Sequence, residues 1–138
     1  MSRLQEQKRA DFSLKKIRSC QSVDLEDLLR HIRQTPVRIL TNGLGQALAF
    51  LLADTASGDN ENNSPKKAST ELYEWLTEWL CGKSSPEQPA RVYPSNKDLM
   101  KQLMEGKRKE YILAQEEMLR LFVWLKKFAE AGLLGEER

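Results

Sequence analysis

The sequence is short of the residues on which enzymes and metal sites most often rest. It holds one histidine, His31, and two cysteines, Cys20 and Cys81, far apart in the chain. No Cys-x-x-Cys pair and no cysteine–histidine spacing of a zinc site occurs, so no metal and no cofactor is expected. His31, between Arg30 and Arg33 on a short amphipathic segment, reads as a solvated or edge histidine rather than a general base. The cysteines read as reduced structural thiols. Also missing is any apolar run near the roughly 18 residues that span a bilayer. Charged residues follow Met1-Ser2-Arg3 where a leader would be apolar, so the cytoplasm is the expected location. Charge of one sign is absent too: 22 Lys and Arg against 20 Asp and Glu leave +2. Bulk charge therefore does not announce a nucleic-acid binder, although cations can still gather on one face. Carboxylates do pair, at Glu26-Asp27 and Glu116-Glu117, but neighbours on a helix point about 100° apart and such pairs usually face water. Asn42-Gly43-Leu44-Gly45 lacks the preceding strand and following Lys-Ser/Thr of a phosphate loop. Nothing converges into an acid–base pair, and the chain reads as a binding protein rather than an enzyme.

What is present is helical periodicity. The 138 residues, 40% hydrophobic and 30% charged, suit one globular domain over 1–138. No segment alternates with period two, so no sheet is expected and the fold class is all-α, a bundle of five or six helices. A first helix over 3–20 starts with Ser2 and Gln5 spaced as a capping box, and carries a thin stripe of Ala10, Leu14 and Ile17. Asp24 caps a short second helix with Leu25, Leu28, Leu29 and Ile32. Thr35-Pro36 reads as an N-cap followed by proline at the first helical position, opening a new helix. Its stripe, Val37, Leu40, Leu44, Ala47, Leu48, Leu51 and Leu52, is expected in the core. Gly43 and Gly45 mark either a break or a close approach to the backbone. Residues at about 54–69 read as a mobile loop, and a second loop lies at about 82–94. Between them Leu72, Trp75, Leu76, Trp79 and Leu80 follow helical spacing up to Gly82. Ser95 and Asp98 signal a short helix with Leu99, Leu103 and Met104. The longest helix runs from Gly106 to Gly132, with a main stripe from Tyr111 to Ala129 and a second of Ile112, Leu119 and Val123.

Three surfaces invite partners. On the first helix Lys8 with Lys15 and Arg9 with Lys16, each pair seven apart, flank Phe12 on the face away from Ala10, Leu14 and Ile17. Such an arc suits a nucleic-acid backbone, with the ring free to stack; it equally suits a solvated face whose phenylalanine tucks against a neighbour. Arg38, Asn42, Gly45, Gln46 and Ala49 line the side of their segment away from the leucines, a narrow strip where another helix packs closely, within the chain or from outside. Arg120, Trp124 and Lys127 share one face of the last helix, as a stacking platform or as half-buried packing.

Two stretches resemble a known family. Pro36-Val37-Arg38-Ile39-Leu40-Thr41-Asn42-Gly43-Leu44-Gly45-Gln46-Ala47-Leu48-Ala49-Phe50-Leu51 is similar to the signature of subunit five of the Cmr complex, the small helical subunit of type III-B CRISPR effectors. Tyr111, Ala114, Glu117, Leu121 and the run Trp124-Leu125-Lys126-Lys127-Phe128-Ala129-Glu130-Ala131 resemble that family's closing helix, and Gln7-x-Arg9-Ala10 fits its opening. Together these cover about a third of the chain, in the right order. The family pattern differs at Leu14, where a second small residue is expected.

The resemblance implies a non-catalytic helical subunit that stacks along the guide-bearing backbone subunits, beside a Cas10-type large subunit and copies of itself. It would help line the groove that holds guide RNA and target RNA, with other subunits cutting the target. Lys8, Arg9, Lys15, Lys16, Arg38, Arg120, Lys126 and Lys127 are then the candidate RNA contacts. Phe12, Asn42, Gly45 and Gln46 are candidate subunit contacts, and charge reversal at Lys15 and Lys16 is expected to weaken RNA capture without unfolding the chain. The alternatives are the small subunit of a type III-A (Csm) complex, which should lack the Asn-Gly-Leu-Gly-Gln segment, and a free-standing helical nucleic-acid-binding regulator. The regulator would need a helix-turn-helix with base-reading polar residues, and no such pair is evident.

Overall fold

A computed structural model describes residues 4–20, 23–56, 66–82, 92–93 and 98–136. They form six helices: α1 (Gln5–Ser19), α2 (Leu25–Asn42), α3 (Leu44–Ala56), α4 (Ala68–Cys81), α5 (Leu99–Glu105) and α6 (Arg108–Glu130). No strand occurs among the described residues. The expected all-α bundle is thus the fold. Helix α6 packs against α1 and α2, α4 against α2, α3 and α5, and α2 against α3. Most of the two expected loops and the Ser2 and Ser95 caps lie outside the described residues. At the loop edges, however, 54–56 belong to α3 and 68–69 to α4.

Local signals explain most of the helix ends. Leu4 rather than Ser2 precedes the first turn of α1, and its N–H donates to the Gln7 side chain at 2.9 Å. Asp24 accepts from the N–H groups of Glu26 and Asp27, and Asp98 from that of Lys101. These bonds satisfy donors that a helix start leaves free. At the far end of α4, Gly82 N–H donates to the Glu78 carbonyl. Near the end of α6 the chain turns back, and Gly135 N–H reaches the Ile17 carbonyl at 2.8 Å, docking the C-terminal turn on α1.

The expected break before Pro36 does not occur. Helix α2 runs through the proline, because Leu28, Ile32, Thr35 and Ile39 form one unbroken buried face across it. Burial of that face outweighs the missing N–H of Pro36 and the hydrogen bond it denies the Ile32 carbonyl. The break falls at Gly43, with φ 90° and ψ 161°, a region that side chains with a Cβ avoid. One consequence corrects the expected stripe. Val37 and Leu40 continue the phase of α2, opposite its buried face, and are 60% and 74% exposed. Only from Leu44 onward, in the new phase of α3, do Leu44, Ala47, Leu48 and Leu51 enter the core.

The core is built around Trp79, Phe122 and the leucines of α2, α3, α4 and α6. The α4 stripe of Leu72, Trp75, Leu76, Trp79 and Leu80 is buried as expected, and so is most of the main α6 stripe. Of its second stripe, Ile112 and Val123 are exposed, while Leu119 is half-buried against the core. Met104, expected on the apolar side of α5, is also exposed.

Candidate nucleic-acid and partner interface

Helix α1 is turned by about a quarter turn from its expected setting. Arg9, Phe12, Ser13 and Ile17 face inward, whereas Ala10 and Leu14 are only half-buried. Of the two readings of Phe12, free to stack outside or tucked against a neighbour, the second holds: it lies against Trp79 with ring centroids 4.8 Å apart. The Arg9 side chain is 6% exposed; its Nε and Nη2 donate to Glu117 at 2.6 and 2.8 Å, and Nη1 to Glu6 at 2.6 Å. Trp79 Nε1 donates to the same Glu117 carboxylate at 2.9 Å. Against the burial that disfavours its charge, these donors hold the Glu117 carboxyl below its ordinary range. Lys16 pairs with Glu78 at 2.6 Å.

Two of the expected RNA contacts on α1, Arg9 and Lys16, therefore clamp α1 to α6 and α4. The physical reason is supply. The thin apolar stripe buries little area, whereas a ring and two cations meet carboxylates and Trp79 on the neighbouring helices. Lys15 remains toward solvent and Lys8 is half-buried. Lys15 is 75% exposed and pairs only across one turn with Asp11. The two lysines, paired as alike in the sequence, thus differ in setting: Lys16 meets Glu78 across the helix interface, whereas Lys15 faces water.

The basic face of α6 does point outward. Arg120, Lys126 and Lys127 are exposed, with no ion pair among the described residues, although Arg120 is close enough to Glu117 to help keep it charged. Trp124 is half-buried between them, its Nε1 donating to Glu6 at 3.1 Å and its ring tilted against Phe128 at 5.7 Å. Lys127 Nζ lies 5.9 Å from that ring. Arg120, Trp124 and Lys127 make one ridge, with Lys126 turned about 100° away. Arg38 stands apart from both sets. Its guanidinium lies 3.5 Å over the Phe50 ring and donates to Gln34 at 3.0 Å, a flat cation on an exposed aromatic.

The strip of small and polar residues becomes one wall of a groove of about 570 Å³. Asn42, Gly45, Gln46 and Ala49 face Met100, Met104 and Tyr111 across it. The sequence marked the opposite wall only through the apolar spacing of α5 and the Tyr111 stripe of α6, with nothing to say that the two meet the strip. The glycines are accounted for here. Tyr111 Oη accepts from Gly45 N–H at 2.8 Å, and Gln115 Oε1 from Leu44 N–H at 2.9 Å. Two side chains of α6 thus cap the open start of α3. A Cβ on Gly45 would sit 3.3 Å from the Tyr111 oxygen, so both expectations for this segment hold: the helix breaks, and a neighbour comes close.

His31 is fully buried rather than solvated or at an edge. Cys20 and Cys81 are buried, Cys20 Sγ donating to the Ile17 carbonyl at 3.2 Å, and burial pushes the Cys81 thiol up to about 11, away from the thiolate form. No helix among the described residues is long and apolar enough to cross a membrane.

Comparison with solved structures supports this architecture. The fold is similar to that in the X-ray crystal structure of a CRISPR-associated Cmr5 family protein from Thermus thermophilus. The TM-score is 0.65 at 23% identity, covering 94% of this chain and 97% of that one. The pattern that defines the CRISPR-associated Cas_Cmr5 proteins matches residues 5–132, from the first residue of α1 past the end of α6. That span takes in the Gly43–Gly45 break and both α6 side chains that cap it, and with it nearly the whole bundle. The chain belongs to the Cas_Cmr5 family.

Proposed function

We propose that this chain is a non-catalytic subunit of the type III-B CRISPR (Cmr) effector complex, an RNA-guided machine that targets RNA in antiviral defence. In this reading it works in the cytoplasm, stacks along the backbone subunits beside the Cas10-type subunit and copies of itself, and helps line the groove for guide and target RNA. The observation that carries the RNA contact is the ridge Arg120–Trp124–Lys127. It keeps its cations toward solvent while Arg9 and Lys16 of α1 are spent within the fold. Lys15 and Lys126 supply further exposed cations for phosphates, and the half-buried Lys8 and Arg38 two more. The apolar groove beside Asn42, Gly45 and Gln46 receives a neighbouring subunit, where methionines adapt readily to a packed surface.

The experiment is target-RNA binding by the assembled complex carrying Arg120→Glu and Lys127→Glu. Affinity should fall by at least about tenfold, and the slope of log affinity against log salt should flatten by about 1–2, as two phosphate contacts on single-stranded RNA require. The isolated double variant should melt as the parent does. Undiminished RNA affinity in a complex that contains the variant subunit would remove the ridge from the RNA path.

A further inference from the structure

His31 is the only histidine of the chain, and no atom of it reaches solvent. Its Nε2 lies 3.2 Å from Asp54 Oδ2 on α3 and 3.8 Å from Asp27 Oδ2, one turn earlier on α2. Its Nδ1 is buried with no hydrogen-bond partner. The tautomer with the proton on Nε2 fits this setting: it donates to Asp54 and leaves only a bare lone pair inside. The opposite tautomer would bury an N–H with no acceptor.

The charged groups around it come from three helices. Helix α2 supplies Asp27 and Arg30, which pair with each other, Arg30 Nη2 lying 3.3 Å from His31 Nε2. Helix α3 supplies Asp54. The lead-in to α4 supplies Lys67, whose Nζ donates to the Asp54 carbonyl at 2.8 Å. Lys66 is turned to Glu71 and Glu74, and Arg33 on α2 faces Glu130 of α6 at 3.7 Å. Two carboxylates and two cations thus balance with His31 neutral.

The ligand atoms of Asp27, His31 and Asp54 lie within 4.8 Å of one another, a spacing that would suit a cation. Two features speak against a metal. Arg30 already places its charge beside both Asp27 and the imidazole. A metal on Nε2 would also force the ring proton onto Nδ1, where the usual acceptor for a ligating histidine is missing.

We propose that His31 is a proton-sensitive latch at the corner of α2, α3 and α4. Neutral, it ties α2 to Asp54; protonated, it buries an unbalanced charge and an unsatisfied Nδ1–H, and α3 loosens from α2. Because α3 carries Gly45, Gln46 and Ala49, the latch stands behind one wall of the groove. The electrostatics agree: burial first, and Arg30 second, lower the imidazole from its ordinary 6.5 against the pull of Asp27 and Asp54. A folded-state value below the unfolded one means the unfolded chain binds more protons in the interval between them. Stability from this group is complete above about 6.5 and declines as the pH falls toward the folded value. Asp54, held below its ordinary 3.8 by Ser69, His31 and Lys67 despite burial, stays ionised throughout.

The test uses the full chain in two measurements between pH 5 and 8. NMR titration of the single imidazole should place its pKa below 6.5. Chemical denaturation should show the unfolding constant rising by up to about tenfold per pH unit below 6.5. His31→Gln should lose that dependence whatever its absolute stability. If the variant does not fold, the parent titration still decides, since no other imidazole contributes. A folded-state pKa at or above 6.5, or a stability flat from pH 5 to 7, overturns the latch. So does a zinc-dependent rise in melting temperature at pH 7 that His31→Gln abolishes, which would make the cluster a metal site.

Discussion

Helices α1 and α6 each carry an arc of cation, aromatic and cation at helical spacing: Arg9, Phe12 and Lys16 on one, Arg120, Trp124 and Lys127 on the other. The first arc is turned into the fold and the second toward solvent. What separates them is the rest of each helix. Helix α6 has Ala114, Met118, Leu121, Phe122, Leu125 and Ala129 to bury, and that wide stripe commits its basic face to the outside. Helix α1 has no comparable stripe. Its largest apolar side chain, Phe12, sits among its cations, so burying the ring draws Arg9 and Lys16 inward with it. The inward turn is tolerable because Glu117 and Glu78 wait on α6 and α4. A cation-plus-aromatic arc is therefore evidence for an exposed surface only when its helix has something better to bury.

The sharpest way to break the contrast is to remove the carboxylate that accepts the α1 arc. Glu117→Ala leaves Arg9 buried without its main partner and removes the carboxylate that accepts from Trp79 Nε1, and should cost about 3–5 kcal/mol in denaturant unfolding. The same carboxylate sets an acid limit. Its folded-state pKa lies below the ordinary 4.5, so its stabilisation is complete above about 4.5 and is lost as the pH falls through the lower folded value. Acid unfolding of Glu117→Gln should lack that component. Of similar size, Phe12→Ala removes a buried ring tilted against Trp79 and should cost about 3–5 kcal/mol. Trp124→Ala, on the outward arc, should cost clearly less; equal losses would mean that the two arcs are buried alike.

Another variant probes the break that orients α3. Gly43→Ala forces a side chain into a glycine-only backbone region and should cost about 1–3 kcal/mol by thermal melting. A gain in stability would mean that the chain can run on without the break. The smallest effect sharpens the comparison within α1 itself. Lys15→Glu replaces an exposed pair with Asp11 by an exposed, well-screened repulsion, about 0.5–1 kcal/mol, whereas Lys16→Glu sets two carboxylates against each other in a partly buried site and should destabilise clearly more. Chemical denaturation of the two single variants makes the comparison directly.

Much of the helix content was legible because its signals are local. Asp24, Asp98 and Gly82 mark ends by bonding to groups a few residues away, and the stripes of α4 and α6 are wide enough to leave one orientation. The reading failed where distant residues decide. Pro36 looks like a start signal, yet the buried face on both sides of it carries α2 through. Val37 and Leu40 look like core, yet the phase of α2 turns them out. His31 looks like a surface histidine between two arginines, but Asp54, on the next helix, gives it a partner inside. Of the candidate RNA contacts, the cations of α6 and Lys8 and Lys15 remain accessible, while Arg9 and Lys16 are held within the fold. Of the candidate subunit contacts, Asn42, Gly45 and Gln46 line a groove, while Phe12 is core.

By itself the sequence determined that this chain is helical, where most of its helices begin and end, and, through its two longest motifs, which family it resembles. Those properties rest on hydrogen bonds and spacings within a few residues. Only the tertiary structure decided which face of α1 is buried, why the Gly43–Gly45 break is stable, and which cations remain available to a partner. Each of these depends on a group brought from another helix: Glu117 and Glu78 for the cations of α1, and Tyr111 and Gln115 for the free N–H groups of α3. A one-dimensional pattern can state that a charge or an open donor exists. Whether it meets water or a partner is set by packing.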